Sequence, residues 1–341
     1  MLLAIDFGTH SLKMIRLQKK SGGYTLTHFG AQRLPLKDGK SPSTPGVYTE
    51  LLRQCMGEMS VKKGCAAASL SARSTLIRHV EFPQIPLEDM KKALKLNSSP
   101  YLHQHYTDFN FDCHILAPRS GKGAEPQKSG AKMEVMVGGA SVHDVLLFRD
   151  ALTEANLVPL TINLAPVAVI NAFEASNPAI VQRDTVALVD IGCENSVISV
   201  MDKGAAVLTR SIPFGGFQIT NHVAKTLSLD EQTAEEEKLK MSETVQVFVG
   251  SSLSLFARQI RSSIDFFERQ HEVPVKRVFC SGGTALSGVI LQFLTDEVGL
   301  PCVAWNPMEN IPIDLKTQTE AELTKQAPNF AVAVGTALAA I

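Results

Sequence analysis

Two short acidic motifs, Asp6-Phe7-Gly8 and Asp190-Ile191-Gly192, are the residues of this chain best suited to chemistry. Each motif ends an apolar run that predicts a β-strand, and each leads into a turn and a second predicted strand. A turn with glycine brings backbone N–H groups close to an anionic oxygen. An aspartate at the end of the strand can hold water on a Mg²⁺ ion. Two such hairpins facing each other across a cleft would hold a triphosphate from both sides.

The duplication of the motif decides between this interpretation and an ordinary turn. A single Asp-x-Gly sequence after an apolar run is most often a turn with no further role. Here each copy opens a similar series of strand, turn and strand, and each stands at the head of one half of the chain. The repetition therefore favours a paired phosphate site.

Three further features agree with a nucleotide site. Lys13 lies on the second predicted strand, where it can lean over the turn towards a phosphate, although an exposed strand lysine is the alternative. The segment Ser281-Gly282-Gly283-Thr284 joins a strand to a helix, and its glycines allow a flat ring or a phosphate to approach the backbone. Glu235 and Lys238 share one face of a predicted helix and can reach ribose hydroxyls and the base. The alternative for this acidic helix is a solvated charged face.

The order of predicted elements indicates two α/β domains, the number expected for 341 residues. Residues 1–82 are predicted to form the first domain, completed by residues 158–175 and by a C-terminal helix at 329–341. Residues 83–157 are predicted to be an inserted β/α subdomain that binds a partner. Residues 176–328 are predicted to form the second domain, which carries the nucleotide-facing helices.

The composition excludes several other functions. Lys and Arg number 33 against 34 Asp and Glu, so no basic excess attracts nucleic acid, and one Trp with four Tyr gives few stacking surfaces. Six cysteines without paired spacing predict reduced, mostly buried thiols of a cytosolic protein. The apolar stretch 331–341 is shorter than the ~20 residues that span a bilayer.

Residues 118–130 are predicted to be a loop, and Phe266-Phe267 is expected in the core.

The motifs resemble those of the actin-like ATPases, a superfamily that includes actin, the heat-shock chaperone ATPase, MreB and FtsA. The first phosphate motif corresponds to Asp6-Phe7-Gly8-Thr9 together with Lys13. The second phosphate motif corresponds to Asp190-Ile191-Gly192. The adenosine motif corresponds to Ser281-Gly282-Gly283-Thr284-Ala285, and the nucleotide-facing helix corresponds to residues 233–238. The segment after the second phosphate motif corresponds to Pro213-Phe214-Gly215-Gly216. The resemblance implies an α/β actin-like ATPase fold, made of duplicated ribonuclease H-like domains, with an FtsA-type inserted subdomain.

Within that superfamily the chain resembles the type IV pilus assembly protein PilM family over nearly its whole length. The resemblance rests on the inserted block and on segments at residues 212–216, 299–307 and 328–335. It implies a cytoplasmic adaptor for twitching motility, peripheral to the inner membrane, that binds the N-terminal tail of a PilN-like membrane protein and links other pilus machinery. The tail is expected between the inserted subdomain and the first domain. The resemblance also allows self-association.

The resemblance also implies the residues that hold ATP, or ADP, and Mg²⁺. Asp6 and Asp190 would order water on the Mg²⁺ ion and are the candidate catalytic residues. The residues expected at the nucleotide are Gly8, Thr9, Lys13, Gly192, Gly215, Gly216, Glu235, Lys238, Gly282, Gly283 and Thr284.

Three positions depart from the pattern of the relatives. Glu194 stands where many of them have a glycine, and it places a negative side chain near the phosphates. Ala165 falls where FtsA and MreB carry a glutamate that positions the attacking water, and Asn163 falls where pilus relatives often have aspartate. Because general-base help is typically worth about 10²–10⁴-fold, ATP binding is expected while hydrolysis is weak or absent.

Two other functions stay open at this point. An FtsA-like filament protein of cell division shares the position of the inserted subdomain and would form polymers with ATP. Such proteins usually add a membrane-binding amphipathic helix, and here no Lys or Arg follows Lys325. A small-molecule kinase of the same superfamily would need an aspartate base facing a sugar pocket, and no sugar-kinase signature is evident.

Overall fold

The first sheet begins at the N-terminus and is built around a buried central strand. A computed structural model describes residues 1–20, 23–35, 41–116, 132–315 and 319–341, and the loop predicted at 118–130 lies outside them. The first elements are β1 (Leu2–Phe7), β2 (Ser11–Lys20), β3 (Gly23–Arg33), α1 (Pro45–Glu58) and β4 (Gly64–Leu70). Strand β1 pairs antiparallel with β2 and parallel with β4. All six residues of β1 are buried, as expected for a central strand that is covered on both faces.

A separate three-stranded sheet follows β4. Its elements are β5 (Thr75–Pro83), α2 (Leu87–Leu96), α3 (Ser99–Leu102), β6 (Phe109–Ile115) and β7 (Lys132–Ser141), and its strands lie in the antiparallel order β5-β7-β6. Strand β5 pairs with β7 along its whole length, from Thr75 opposite Ala140 to Pro83 opposite Lys132. The predicted start of the inserted subdomain at residue 83 is therefore wrong. The apolar pattern of β5 is equally compatible with a last strand of the first domain. Only the pairing of β5 with β7 assigns this strand to the inserted sheet.

The chain then returns to the first sheet earlier than the sequence predicted. The returning elements are α4 (Val142–Glu154), β8 (Leu157–Leu164), α5 (Ala165–Ser176) and α6 (Pro178–Arg183). Helix α4 packs against α1, and the ring of Phe148 stacks on that of Phe7 at 4.1 Å. Its N-cap is Ser141, whose hydroxyl accepts a hydrogen bond from the Asp144 amide. The predicted end of the insertion at residue 157 is therefore wrong, because α4 belongs with the first sheet.

The second half repeats the topology of the first. Its elements are β9 (Thr185–Ile191), β10 (Ser196–Asp202), β11 (Ala205–Ile212), α7 (Gly216–Leu227), α8 (Glu231–Lys240), α9 (Glu243–His271), β12 (Val278–Ser281), α10 (Gly288–Val298) and β13 (Cys302–Ala304). The sheet orders are β3-β2-β1-β4-β8 and β11-β10-β9-β12-β13. The predicted duplication is confirmed, because β1 and β9 hold the same place and each ends in one of the two acidic motifs.

Two helices between the sheets join the halves. After α11 (Glu320–Gln326), the chain ends in α12 (Ala331–Leu338), which packs against α5 and the first sheet. The crossing is tight, because a Cβ atom on Gly335 would collide with the carbonyl group of Ala168. The apolar core around α5 and α12 includes residues of both sheets, such as Ala4 and Leu188. The six cysteines form no disulfide, and in the described ranges no helix is long and apolar enough to cross a membrane.

Candidate nucleotide-binding site

The first acidic hairpin carries a nearly buried ion pair. Asp6 at the end of β1 lies opposite Lys13 on β2, and Lys13 Nζ donates to Asp6 Oδ2 at 3.0 Å. The two side chains are only 6% and 12% exposed, so solvent screens the pair weakly. A Cβ atom on Gly8 would lie 2.7 Å from the Ser11 carbonyl oxygen and 3.3 Å from Lys13 Nζ. Glycine is therefore the residue that fits at the tip of this hairpin.

Thr9 and the residue after it, His10, complete the same turn. The Thr9 carbonyl accepts a hydrogen bond from the Ser41 hydroxyl at 3.0 Å, and the His10 carbonyl accepts one from the Leu34 amide at 2.9 Å. These bonds hold the turn against the segments that contain Leu34 and Ser41.

The second acidic hairpin faces the first. Asp190 ends β9, beside Ser281 at the end of β12, and Ser281 Oγ donates to Asp190 Oδ1 at 2.8 Å. Although the Asp190 side chain keeps some solvent exposure, the surrounding protein raises its pKa by desolvation, and the negative charge of Asp6 raises it further. The charge of Lys13 and the hydrogen bond from Ser281 act in the opposite direction. Asp190 therefore holds in the second sheet the place that Asp6 holds in the first.

The predicted glycines of the second half meet around the second hairpin turn. The Gly216 amide donates to the Gly192 carbonyl at 2.9 Å. A Cβ atom on Gly215 would collide with the carbonyls of Gly192 and Cys193, and one on Gly216 would lie 2.8 Å from Thr284 Oγ1. Three segments far apart in the chain thus touch through positions that only glycine fills.

The predicted adenosine segment packs directly behind this turn. Gly282 has a φ of +87°, and a Cβ atom there would collide with the backbone of Ile191. Its amide donates to the Pro328 carbonyl at 2.9 Å. A Cβ atom on Gly283 would come no closer than 3.5 Å to the nearest atom, Asn329 Oδ1, so the backbone here is open to a ligand.

Glu235 and Lys238 form a buried cluster, and the alternative of a solvated charged face is wrong for them. Lys238 is 8% exposed, and its ammonium donates to Glu235 Oε2 at 2.6 Å, to Thr220 Oγ1 at 2.9 Å and to the Gly216 carbonyl at 3.3 Å. Burial raises the pKa of Glu235, but the charge of Lys238 and hydrogen bonds from Lys238 and Thr220 together leave that pKa lowered. The cluster ties α8 to the Gly216 backbone.

His10 is a titratable residue of the first hairpin turn that the sequence did not predict as part of the site. Burial lowers the pKa of His10, Arg33 lowers it further, and the charge of Glu235 on α8 raises it. His10 is therefore a titratable group at the first hairpin turn whose pKa responds to charges of both halves of the chain. The signal available in the sequence is its position directly after Thr9 in the first phosphate motif.

Glu194 is neutralised by an arginine that the sequence also did not reveal. Arg73 Nη1 lies 3.1 Å and 3.3 Å from the two carboxylate oxygens of Glu194. The Glu194 carbonyl accepts a hydrogen bond from Gln218 at 3.2 Å. The negative side chain expected near the phosphates is therefore paired with a guanidinium from the segment between β4 and β5.

The positions associated with water activation carry no acid. Ala165 is buried at the start of α5. Asn163 pairs in register with Ser69, and Ser69 pairs in register with Asp6, so three polar residues end three neighbouring parallel strands. Asn163 Nδ2 is buried and has no hydrogen-bond partner in the part of the chain that the structure describes. An unsatisfied buried donor is costly, which makes this amide available to a ligand or an ordered water.

These residues fit a nucleotide with Mg²⁺. Two carboxylates from opposite hairpins supply the hard oxygen ligands, direct or through water, that Mg²⁺ prefers. The glycines allow the turns to pack closely and leave the backbone at Gly283 open to a ligand, and Lys13 adds a cation for phosphate oxygens. All the site residues predicted from the sequence lie in the two hairpins or in the segments packed around them.

Solved structures share the fold over nearly the whole chain. The chain of a PilM–PilN type IV pilus biogenesis complex is 24% identical, with a TM-score of 0.85 over 99% of this chain and 98% of that one. The ethanolamine utilization protein EutJ from Carboxydothermus hydrogenoformans is 14% identical, with a TM-score of 0.58 over 98% and 88%. MreB5 of Spiroplasma citri, solved with ADP, is 12% identical, with a TM-score of 0.52 over 99% and 95%. The predicted actin-like ATPase fold is confirmed.

The family follows from the sequence as a whole. The family model for the type IV pilus assembly protein PilM matches residues 4–341, which include both acidic hairpins, the three-stranded inserted sheet and the final helix. The chain therefore belongs to the PilM family of type IV pilus assembly proteins.

Proposed function

We propose that this chain binds ATP or ADP with Mg²⁺ in the cleft between its two acidic hairpins and acts as an adaptor in the pilus assembly complex. The observation that carries the first part is geometric: Asp6 and Asp190 lie near the ends of equivalent central strands of duplicated sheets, and the ion pair between Arg73 and Glu194 joins the second hairpin turn to the segment after β4. Two carboxylates that line one cleft repel each other, and a bound cation would relieve that repulsion. Mg²⁺ would supply charge neutralisation for the phosphates.

In this proposal different residues bind different parts of the nucleotide. Gly8, Thr9 and Lys13 bind phosphate oxygens from the first domain. Residues of the second domain complete the site: Gly192, Gly215 and Gly216 at the phosphates, and Glu235, Lys238, Gly282, Gly283 and Thr284 at the nucleoside. The support is their convergence, because Thr284, Lys238 and the Gly192 carbonyl all lie around the position of a Cβ on Gly216.

Hydrolysis is proposed to be weak or absent. A general base next to the attacking water would have to come from the strand ends or the start of α5, where the side chains are Asn163 and Ala165. An amide can orient water but does not accept its proton at neutral pH. A nucleotide that is bound and slowly turned over suits an adaptor whose shape depends on occupancy.

The partner is proposed to be the cytoplasmic N-terminal tail of a PilN-like inner-membrane protein, which would hold this chain at the membrane. The support is the family and the similarity to a chain solved in a PilM–PilN complex. The inserted sheet β5-β7-β6 has its own apolar core, which includes Phe82, Met90 and Val135, so it offers a stable surface beside the first domain. The subdomain proposed for partner binding spans residues 75–141.

Isothermal titration of Mg-ATP tests the nucleotide site. The wild type is expected to bind, while Asp6→Ala removes the carboxylate that Lys13 contacts and is expected to abolish the heat. Asp296→Ala, which changes an exposed aspartate on α10, serves as the matched control and should bind like the wild type. No heat with the folded wild type contradicts the proposal.

A peptide with the sequence of the PilN-like N-terminal tail tests the partner. The peptide is expected to bind the full chain in a fluorescence anisotropy titration, and its affinity is expected to differ with and without Mg-ATP. Absence of binding under both conditions contradicts the adaptor role but leaves the nucleotide site unaffected, so the two parts of the proposal fail separately.

A further inference from the structure

A polar cavity of about 200 Å³ lies on the second domain, away from the acidic hairpins. It opens between the last residues of β11 and the middle of α9. Arg210 lines it from the strand, and Arg258 lines it from the helix. The hydroxyls of Ser211, Ser262 and Ser263 also line the cavity, which therefore contains cations and hydrogen-bond donors but no carboxylate.

The hydrogen bonds of the two guanidiniums in this cavity go to uncharged groups. Arg210 Nη1 donates to Ser263 Oγ at 3.3 Å, and Arg258 Nε donates to the Ser254 carbonyl at 3.3 Å. Within the described ranges neither makes an ion pair. Arg261, one turn further along α9, contrasts with them because it pairs with two carboxylates. Guanidiniums recognise carboxylates in a planar, two-pronged geometry, so the cavity suits an acidic side chain.

Exposed apolar side chains stand on both sides of the cavity along α9. Leu255 is 60% exposed one turn before Arg258, and Phe266 is 52% exposed at about three turns from Leu255 on the same helix face. Phe267 is buried as the sequence predicted, but the expectation that Phe266 lies in the core is wrong. Apolar flanks beside a basic cavity favour a protein segment over a free anion, because only a segment covers both.

Helix α8 presents a surface that complements this one. Two of its glutamates are paired, Glu235 with Lys238 and Glu237 with Lys240. Glu236 is exposed and makes no ion pair in the described part of the chain. Leu239, one turn after Glu236, is 65% exposed. The helix thus carries an unpaired acid and an apolar side chain at the spacing that Leu255 and Arg258 have on α9.

We propose that α8 of a second copy of this chain docks on the groove formed by β11 and α9. With the helices antiparallel, Glu236 lies opposite Arg258 when Leu239 lies opposite Leu255, because both pairs are spaced by one turn. The two surfaces differ, so the contact is head-to-tail, and each copy can join one neighbour on either side. A helix of this length covers less than the roughly 1,200–2,000 Å² of a stable interface, so the association is weak and sensitive to salt.

Sedimentation velocity over a series of protein concentrations tests this contact. The weight-average sedimentation coefficient is expected to rise with concentration at low salt and to rise less at high salt. Arg258→Glu and Glu236→Arg are each expected to remove the rise, since each places like charges opposite one another. The double variant Arg258→Glu/Glu236→Arg, which restores opposite charges, is expected to recover it.

Controls separate the contact from folding and from net charge. Lys62→Glu and Glu50→Arg change the net charge by the same amounts at exposed positions of the first domain and should associate like the wild type. Thermal unfolding followed by circular dichroism confirms that each variant is folded. A wild type that stays monomeric at every concentration overturns the proposal, and so does a self-association that Arg258→Glu and Glu236→Arg leave unchanged.

Discussion

The two aspartates of the cleft occupy equivalent positions but different environments. Asp6 is paired with Lys13, whereas Asp190 receives a hydroxyl hydrogen bond from Ser281 and forms no ion pair with the residues that the structure describes. Desolvation and the charge of Asp6 raise the pKa of Asp190 above the ordinary value of an aspartate. The duplicated motif therefore yields one carboxylate held by a lysine and one that binds a proton more readily.

The raised pKa of Asp190 predicts a pH dependence with a definite sign. Its ionised form is unfavourable in the folded state, so the stability of the nucleotide-free protein falls as pH rises from the ordinary aspartate pKa through the raised one. Metal binding needs the ionised form, so Mg-ATP affinity should weaken on acidification through the same window. Calorimetric titration at several pH values measures this dependence.

Asp190→Asn is the corresponding variant. It should raise the melting temperature of the nucleotide-free protein at neutral pH, because it removes the unfavourable charge. It should lower Mg-ATP affinity by about tenfold or more, equivalent to ~1.4 kcal/mol. A variant that binds Mg-ATP like the wild type across the pH range would show that Asp190 does not contact the metal.

The buried ammonium of Lys238 gives a stability prediction. Lys238→Met leaves Glu235 without its cation and should lower the free energy of unfolding by about 3–5 kcal/mol. Glu235→Leu/Lys238→Met removes both charges and should lose much less. Urea denaturation of both variants measures the difference, and equal losses would mean that the charges do not interact in the folded state.

At the residue scale, the sequence points to residues that belong to a motif. Asp6, Lys13, Asp190 and the glycines are recognisable because their types and spacing are tied to phosphate chemistry. Arg73 is not recognisable, because its partner Glu194 is far away in the chain and only the assembled fold brings the two together. Cys193 in the second hairpin is not a nucleophile at neutral pH, because burial raises the pKa of its thiol to about 11 and keeps it protonated.

At the scale of elements, the close crossing of α5 and α12 supports the cleft from behind. Ser69 on β4 and Thr336 on α12 are joined through their hydroxyls at 2.5 Å, so the helix is anchored beside the strand end that neighbours Asp6. The absence of a side chain at Gly335 allows the helices to approach this closely.

Gly335→Ala tests this packing. The added methyl group must separate α12 from α5 and should cost about 1–3 kcal/mol of unfolding free energy. Gly57→Ala in α1 is the matched control, since no atom lies within 4 Å of its Cβ position, and it should stabilise by roughly 0.5–1 kcal/mol. Thermal unfolding distinguishes the two, and equal effects would contradict a close crossing.

Element prediction failed mainly at the limits of the inserted subdomain. The apolar pattern of β5 and the amphipathic pattern of α4 reveal a strand and a helix but not the partners they pack against. Strand β5 joins the inserted sheet through β7, and α4 joins the first sheet through α1. Both assignments depend on contacts between residues distant in sequence, which local patterns do not encode.

At the scale of the whole molecule, an ion pair links the segment between β4 and β5 to the second phosphate turn. Arg73 precedes β5, whereas Glu194 follows Gly192, so the pair spans two domains. Arg73→Ala leaves the Glu194 charge uncompensated near the proposed phosphates and should weaken Mg-ATP binding by about 2–5-fold, equivalent to ~0.4–1 kcal/mol.

A double-mutant cycle makes this prediction specific. Arg73→Ala/Glu194→Ala removes both charges and should bind Mg-ATP more tightly than Arg73→Ala alone. Titration of the wild type, the two single variants and the double variant gives the coupling. Strictly additive effects would show that the pair does not influence the nucleotide site.

The duplication of the molecule was predictable because each half repeats the same order of strand, acidic turn and strand. The sheet orders confirm it, since β9 and β1 are both central and both pair with a following hairpin strand and a later parallel strand. What the sequence did not contain is the relative placement of the halves, which depends on the core around α5 and α12.

The proposed function requires that a single bound nucleotide contacts both halves of the chain. A crystal structure of the chain with Mg²⁺ and a non-hydrolysable ATP analogue tests this directly. We expect the phosphates between the two hairpins, with the carboxylates of Asp6 and Asp190 both turned towards the metal or its waters. A nucleotide held by one hairpin alone, or bound elsewhere on the chain, would contradict the account.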